Sequence, residues 1–477
     1  MLPITKVGAE MIDGMLIDGR MLAGESTFGV IDPATGSVFA EAPDCSPTQL
    51  EQAIASASRA FGPWSRDQGA RRRVLLACAA LTRAHAGELG QLISREQGKP
   101  LAKAVGEVMG AARWFEHTAG IEMPVEIVHD DETMRVSVHH RPLGVVAGIT
   151  PWNYPVMSAV WKIAPALLAG NCIVLKPSPF TPLSTLRLGT ILKDAIPAGV
   201  LALVSGGDAL GRALAAHPAI RKISLTGSVE AGKSVAGTAA ADLKRVTLEL
   251  GGNDAAIVLD DVDPEAIAEK LFWGAFQNSG QVCSAIKRLF VHETVYEPVK
   301  QALVARIAKT RIGSGLEDGV ELGPLSTKAQ LARVRELAAD AGNAGGILHG
   351  SAPVPLSDGY FMAPALVTGL ADDARLVAEE QFGPILPLLS FVDEAEVIAR
   401  ANASHFGLSG SVWSGNTAHA AELAAELDCG TAWVNQHLAV LPVAPVGGHK
   451  WSGIGVENGP WGVAAYTDLQ TISVAKV

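Results

Sequence analysis

The 477-residue chain has only five cysteines (Cys45, Cys78, Cys172, Cys283, Cys429), an odd number, widely spread and without a CxxC pair. That pattern argues against a disulfide framework and a zinc ribbon, and no metal is expected. Positive charge is also scarce: 38 Lys and Arg face 49 Asp and Glu, a formal net charge of −11. A nucleic-acid backbone is therefore not an expected partner. The short run "RRR" at 71–73 reads as one solvated helix face. No apolar run approaches the roughly 18 residues that span a bilayer. The start "MLPITKVGAEMIDG" lacks a basic segment followed by an apolar one, the mark of a secretory signal. A soluble, cytoplasmic protein with no membrane partner is the expectation.

What is present is apolar mass, 48% of the residues. A chain of this length accommodates about two to four domains at roughly 100–200 residues each. Residues 48–120 read as helices, introduced by "SPTQ", a serine cap followed by proline. Around 121–142 the pattern becomes an alternating ribbon bounded by proline, and the tail "AAYTDLQTISVAKV" alternates in the same way. Between them short buried-strand candidates ("LGVVAGIT", "NCIVLKP", "LALVSG", "RKISLTG") alternate with helix-like segments. A second series opens at "DAAIVLD", followed by a helix with Asp263 as cap, Pro264 in its first turn and Ile267, Leu271 and Phe272 on one face. The fold class is α/β, with parallel sheets covered by helices on both faces.

Four stretches could carry chemistry. In "QNSGQVCSAIKR", Cys283 follows a helix end, where free backbone N–H groups suit a thiolate and an oxyanion beside it. A buried structural thiol suits the residue equally well. In "RVTLELGGND", Glu249 stands at a strand end before two glycines, either as a solvated charge or as a general base raised by apolar surroundings. In "TPWNYP", Asn153 is either a turn former or an amide donor held on a stiff aromatic loop. Finally, "LTGSVEAGK" places Gly227, Ser228 and Gly232 at a helix start suited to a pyrophosphate, though it is not GxGxxG. "NCIVLKPSP" ends in Lys176 and Ser178, suited to ribose hydroxyls or a phosphate.

Together "PWNYP", "LTGSVEAG", "LELGGN", "QNSGQVCSA" and "EEQFGPILP" resemble the aldehyde dehydrogenase superfamily, in its order and at its spacing, over nearly the whole chain. The resemblance implies two doubly wound parallel-sheet domains and a small β oligomerisation arm. A Rossmann-like cofactor domain would take 1–121 and 143–250, a catalytic domain 251–448, and the arm 122–142 with 463–477. It implies attack by Cys283 on an aldehyde, with the oxyanion held by Asn153 and the Cys283 N–H. Hydride then passes to a nicotinamide, and Glu249 activates the water that hydrolyses the thioester. The cofactor residues it implies are Ile149, Thr150, Pro151, Trp152, Lys176, Ser178, Gly207, Gly227, Ser228, Gly232, Leu250, Glu380 and Phe382. Lys162 and Glu457 match positions sometimes assigned to proton relay.

The chain departs from the family at Pro179, where members that prefer NAD often carry a glutamate, so NAD and NADP both stay open. The pocket implied, of Tyr154, Met157, Trp161, Val282, Ser284, Val440 and Leu441, is mostly apolar and contains no arginine. It favours a hydrophobic or aromatic aldehyde. A homodimer or homotetramer is expected from the arm. The competing readings are a coenzyme A-acylating enzyme, which typically lacks the base, a non-catalytic member, which usually loses nucleophile or base, and a thiol-redox protein, for which no resolving cysteine lies near Cys283.

Overall fold

The computed structural model describes residues 14–350 and 358–476. Residues 1–13, 351–357 and Val477, parts of the expected cofactor, catalytic and arm segments, lie outside them. The helical reading of 48–120 resolves into four helices, Pro47–Arg66, Gln68–Ala84, Ala86–Gln97 and Leu101–Ala119. The first starts where the serine predicts. Ser46 Oγ accepts the Gln49 N–H at 3.3 Å and Gln49 Oε1 accepts the Ser46 N–H at 3.1 Å, a reciprocal cap with Pro47 just inside. Its buried stripe of Leu50, Ala53, Ile54 and Ala57 packs into the larger core, at about 1.5–3 kcal/mol for each large side chain.

An eight-stranded sheet runs in the order 20–22, 15–17, 201–203, 172–176, 145–149, 220–226, 245–249, 453–454. Its five inner strands are parallel, and those at 145–149 and 172–176 ("VVAGI", "CIVLK") are apolar nearly throughout, as strands covered on both faces must be. Its margins are antiparallel, with 15–17 pairing with 201–203 and 453–454 with 245–249. A seven-stranded sheet follows the order 347–350, 365–368, 385–391, 286–292, 254–258, 409–413, 431–434, parallel except for its first edge strand. In both, consecutive strands run outward to one side and the chain then crosses to the other. The strand order reverses between 145–149 and 220–226 in the first sheet and between 254–258 and 409–413 in the second. In open α/β sheets ligands lie at the carboxyl ends of strands beside such a reversal.

The alternating ribbon and tail form a third sheet, with 134–142 between 126–130 and 467–475. Two differences from the sequence reading stand out. The tail strand begins at Thr467, because residues 459–464 form a short helix ahead of it. Before that helix, Gly453–Ile454 return to the edge of the first sheet, a return too short to leave a pattern. No helix among the described residues is long and apolar enough to cross a membrane.

Candidate active site

Residues 250–253 join the two large sheets. Glu249 ends a strand of the first sheet and Asp254 begins a strand of the second, paired with Ile286. Cys283 stands three residues before Ile286, so the cysteine and the glutamate meet on either side of this four-residue link. The link is tight. A Cβ on Gly252 would lie 2.6 Å from the Cys283 carbonyl oxygen, and one on Gly251 would lie 2.2 Å from Glu380 Oε2. Only glycine lets the backbone approach this closely.

The helix Pro264–Phe276 carries the chain toward Cys283, capped by Asp263 Oδ1, which accepts the Glu265 and Ala266 N–H groups. Beyond it Asn278 and Ser279 adopt φ of 54° and 56°, reversing the chain into the cysteine loop. The Asn278 amide donates to the Asn153 and Gln281 carbonyls, both at 3.3 Å. Asn153 Nδ2 donates to Gln281 O at 3.0 Å, which leaves its second hydrogen unspent. The Cys283 N–H has no hydrogen-bond partner among the described residues. Asn153 and the loop that carries Cys283 are thus brought together.

The electrostatics differ from the expectation of a ready thiolate. Burial pushes the Cys283 thiol up to about 12, with Lys287 pulling it back and Asp254, Glu249 and Glu380 adding to the rise. Buried Glu249 is also held well above the ordinary carboxylate range, first by burial and then by the negative charge of Glu457, against the pull of Lys162. Its Oε1 has no partner. Beneath it Lys162 Nζ donates to Glu457 Oε1 at 2.8 Å and to Thr226 Oγ1 at 2.6 Å, and Ser224 Oγ donates to the same Glu457 oxygen at 3.0 Å.

The dinucleotide candidates line the carboxyl edge of the first sheet. Ile149 pairs with both Lys176 and Leu225, and Thr226 pairs with Glu249. Lys176 is buried and lowered to about 8 by that burial, with Asp208 and Asp44 opposing, and it donates to the Pro177 carbonyl at 3.1 Å. Ser178 accepts the Phe180 N–H at 3.3 Å, and Ser228 caps its helix through the Ala231 N–H at 3.2 Å. Gly207 precedes the helix Asp208–Ala216, and no atom crowds its missing Cβ. A Cβ on Gly227 would make ordinary contact, whereas one on Gly232 would lie 2.5 Å from a Leu250 methyl, so packing alone accounts for that pair. Thr150 Oγ1 is buried without a partner beside Pro151, a hydroxyl free for a ligand. Glu380 Oε1 accepts the Gly252 N–H at 3.1 Å, and Phe382, at φ 48°, meets Trp152 edge to face at 5.4 Å between ring centres. An unspent hydroxyl, a free helix start and a carboxylate held by backbone fit a polyhydroxylated dinucleotide.

Of the pocket candidates, Tyr154 receives a hydrogen bond from Gln277 at 3.0 Å, and Val282 and Ser284 flank Cys283. Met157, Trp161 and Val440 pack on the margin of the first core, with Trp161 stacked on Trp114 at 5.7 Å. Leu441 is exposed.

Four neighbours went unseen in the sequence. Lys99 donates to Glu107 at 2.6 Å and to the Asn153 carbonyl at 2.7 Å, and Glu107 Oε1 accepts the Val156 and Met157 N–H groups. His437 Nε2 donates to Ser284 O at 2.8 Å. Lys287 reaches the cysteine loop from behind. Only Lys287 offered a signal, a lysine beside Arg288 at the start of the strand "IKRLFVH", four residues after Cys283.

Residues 21–472 match the model of the aldehyde dehydrogenase family. The chain is 38% identical to phenylacetaldehyde dehydrogenase of Pseudomonas fluorescens, over 97% of each chain. It is 39% identical to betaine aldehyde dehydrogenase 2 of Rhizobium meliloti, over 98% of this chain and 97% of that one. The NAD+ complex of an aldehyde dehydrogenase from Bacillus cereus superposes with a TM-score of 0.95 at 35% identity, covering 98% of this chain and 97% of that one. With the fold, the motifs in register and these likenesses agreeing end to end, the chain belongs to the aldehyde dehydrogenase family.

Proposed function

We propose that this enzyme oxidises a hydrophobic or aromatic aldehyde to the carboxylic acid through a covalent intermediate on Cys283. The observation that carries the reading is the pairing of a cysteine whose own N–H is unspent with a buried carboxylate, Glu249, that has one oxygen unpartnered. The thiol gives its proton to solvent as the sulfur adds to the aldehyde carbon. The resulting oxyanion lies between the Cys283 N–H and the second hydrogen of the Asn153 amide. A bound nicotinamide supplies the hydride acceptor. Glu249 then takes a proton from water as that water adds to the thioester, and the thiol leaves with a proton. Burial raises its proton affinity, the direction a general base needs. Lys162 and Glu457 hold the proton's exit on the side of Glu249 away from the sulfur.

Retention of Glu249 favours water over coenzyme A as acyl acceptor. The nucleophile and base together count against a non-catalytic member. The residues read as the substrate pocket, Tyr154, Met157, Trp161, Val282, Ser284, Val440 and Leu441, are mostly apolar and include no arginine. The likeness to phenylacetaldehyde dehydrogenase supports the same substrate class. Phenylacetaldehyde is expected to exceed succinate semialdehyde in kcat/KM, and the reverse order overturns the substrate reading. At the ribose, Pro179 carries no carboxylate to repel a 2′-phosphate, so the cofactor is either NAD or NADP, and the ratio of kcat/KM with each decides between them. Segments 122–142 and 463–477 act as an arm joining subunits into a homodimer or homotetramer. Exposed Ile127, Val128, Met134, Leu469 and Val474 and two open strand edges support this. Light scattering that reports a monomer refutes it.

A further inference from the structure

Behind the cysteine loop lies a side chain that the proposed mechanism does not use. Lys287 stands on the strand Ile286–His292 with its side chain 2% exposed. Its Nζ donates to the Val282 carbonyl at 3.0 Å and to the Cys283 carbonyl at 2.5 Å, and it lies 3.5 Å from Glu380 Oε1. The lysine is thus fully engaged by two consecutive carbonyls of the nucleophile loop and one carboxylate. No water-exposed role is left for it.

The identity of the two carbonyls matters. The Val282 carbonyl belongs to the same peptide unit as the Cys283 N–H. A cation on the oxygen of an amide draws electron density through the C–N bond and makes the N–H at its other end a stronger donor, as in hydrogen-bond chains. That N–H is the one with no partner. The second carbonyl, of Cys283 itself, fixes the next peptide plane, and Gly252 presses on the same oxygen from the other side. The plane carrying the free N–H therefore cannot rotate without breaking a charge-assisted bond.

The charges facing Cys283 are Asp254 from the start of the second sheet, Glu249 from the end of the first, Glu380 from the 379–383 loop, and Lys287. Three are carboxylates and Lys287 is the single cation. Without it none of these neighbours would offset the carboxylates. We propose that Lys287 is a positioning residue that polarises and fixes the Val282–Cys283 peptide as an oxyanion donor while offsetting the carboxylates around the sulfur. The inference rests on Cys283 being the nucleophile. Through Glu380, 3.5 Å away, the same ammonium also ties the nucleophile loop to one of the implied cofactor residues.

The test separates this from the function itself. The rate of Cys283 alkylation by iodoacetamide is followed from pH 6 to 10 in the full-length enzyme, with Cys283→Ala as the blank for the other cysteines. This readout needs no turnover. Lys287→Met is expected to slow alkylation at pH 8 about tenfold or more, one pKa unit corresponding to a factor of ten. The profile should move to higher pH. In aldehyde oxidation kcat should fall at least about tenfold with the aldehyde KM little changed, the pattern of a lost transition-state contact. Lys287→Arg, which keeps the charge, should restore most of both. Should Lys287→Met fail to fold, Lys287→Gln is read by the same criteria, since it keeps a neutral donor on the same stem. A folded Met or Gln variant with the wild-type alkylation profile and kcat overturns the proposal. A wild type whose aldehyde oxidation survives Cys283→Ala overturns the function instead.

Discussion

Two buried lysine–glutamate pairs flank the candidate site, and they differ in what they leave unsatisfied. Lys99–Glu107, at 2.6 Å with side chains 1% and 0% exposed, lies under Asn153. Lys162–Glu457, at 2.8 Å with side chains 0% and 2% exposed, lies under Glu249. In the first pair Lys99 also holds the Asn153 carbonyl and sits 3.7 Å over the Tyr154 ring, while Glu107 takes two N–H groups at the start of the helix Pro155–Ala169. Every strong group is spent. In the second, Glu457 Oε2 and the neighbouring Glu249 Oε1 are both buried without partners. A closed network fixes geometry, whereas an open one can gain or lose a proton without breaking a bond. Identical residue types, equally buried, serve different ends.

The largest expected effect falls on the base that the open pair serves. Glu249→Gln should lower kcat by about 10²–10⁴, the range for a lost general base. A first-turnover burst of reduced cofactor should persist, because acylation does not need that base to activate water. Rapid-quench fluorescence measures it, and loss of the burst together with the steady state would place Glu249 in acylation and break the division of labour.

Next is stability. Lys99→Met strands the Glu107 carboxylate in a dry interior and should destabilise the fold by about 3–5 kcal/mol. Lys162→Met should cost less, since Ser224 Oγ still donates to Glu457 Oε1 and Lys162, unlike Lys99, holds no backbone carbonyl. Thermal melts at one pH compare the two. Equal losses would mean that the open pair is structural as well.

The closed pair was not legible in the sequence, and Lys162 and Glu457 were named only through the family resemblance; the reason is physical. The strands at 145–149 and 172–176 could be read because burial on both faces writes a continuous apolar run. The antiparallel ribbon could be read from its alternation between prolines, although its three strands are exposed or half-buried, and the helix from Pro47 because its cap is local. Glu249, Asn153 and Cys283 were legible through the unusual residues around them. Lys99, by contrast, acts on Asn153, 54 positions away, and Lys162 on Glu457, 295 away. A lone charge inside a helical pattern reads as a solvated face unless its distant partner is known. The strands Met15–Ile17 and Arg20–Leu22 are three residues each and too short for any period to register.

The open pair also makes a directional prediction for the pH–rate profile. Glu457 raises Glu249 and Lys162 lowers it. Glu457→Gln removes a raising charge, so the acid limb of kcat should move to lower pH. Lys162→Met removes a lowering charge and should move it to higher pH. Variants at Lys99 or Glu107 that still fold should leave the limb in place. Shifts in one common direction would mean that the two residues act through packing instead of charge.

The smallest effect concerns the cost of keeping Glu249 buried. Its folded-state pKa stands well above the ordinary 4.5, so the folded enzyme holds this proton more tightly than the unfolded chain does. That contribution to stability is fully present below about 4.3, the unfolded range, and is lost as pH rises through the folded value. Glutamine at 249 carries no such dependence. The Tm of Glu249→Gln minus that of wild type should therefore grow more positive from pH 5 to pH 8, whatever its absolute sign. A difference that stays flat across that window would mean that the carboxylate costs the fold nothing at working pH. The free Oε1 would then be solvated by groups that the closed pair, with all its partners made, has no need of.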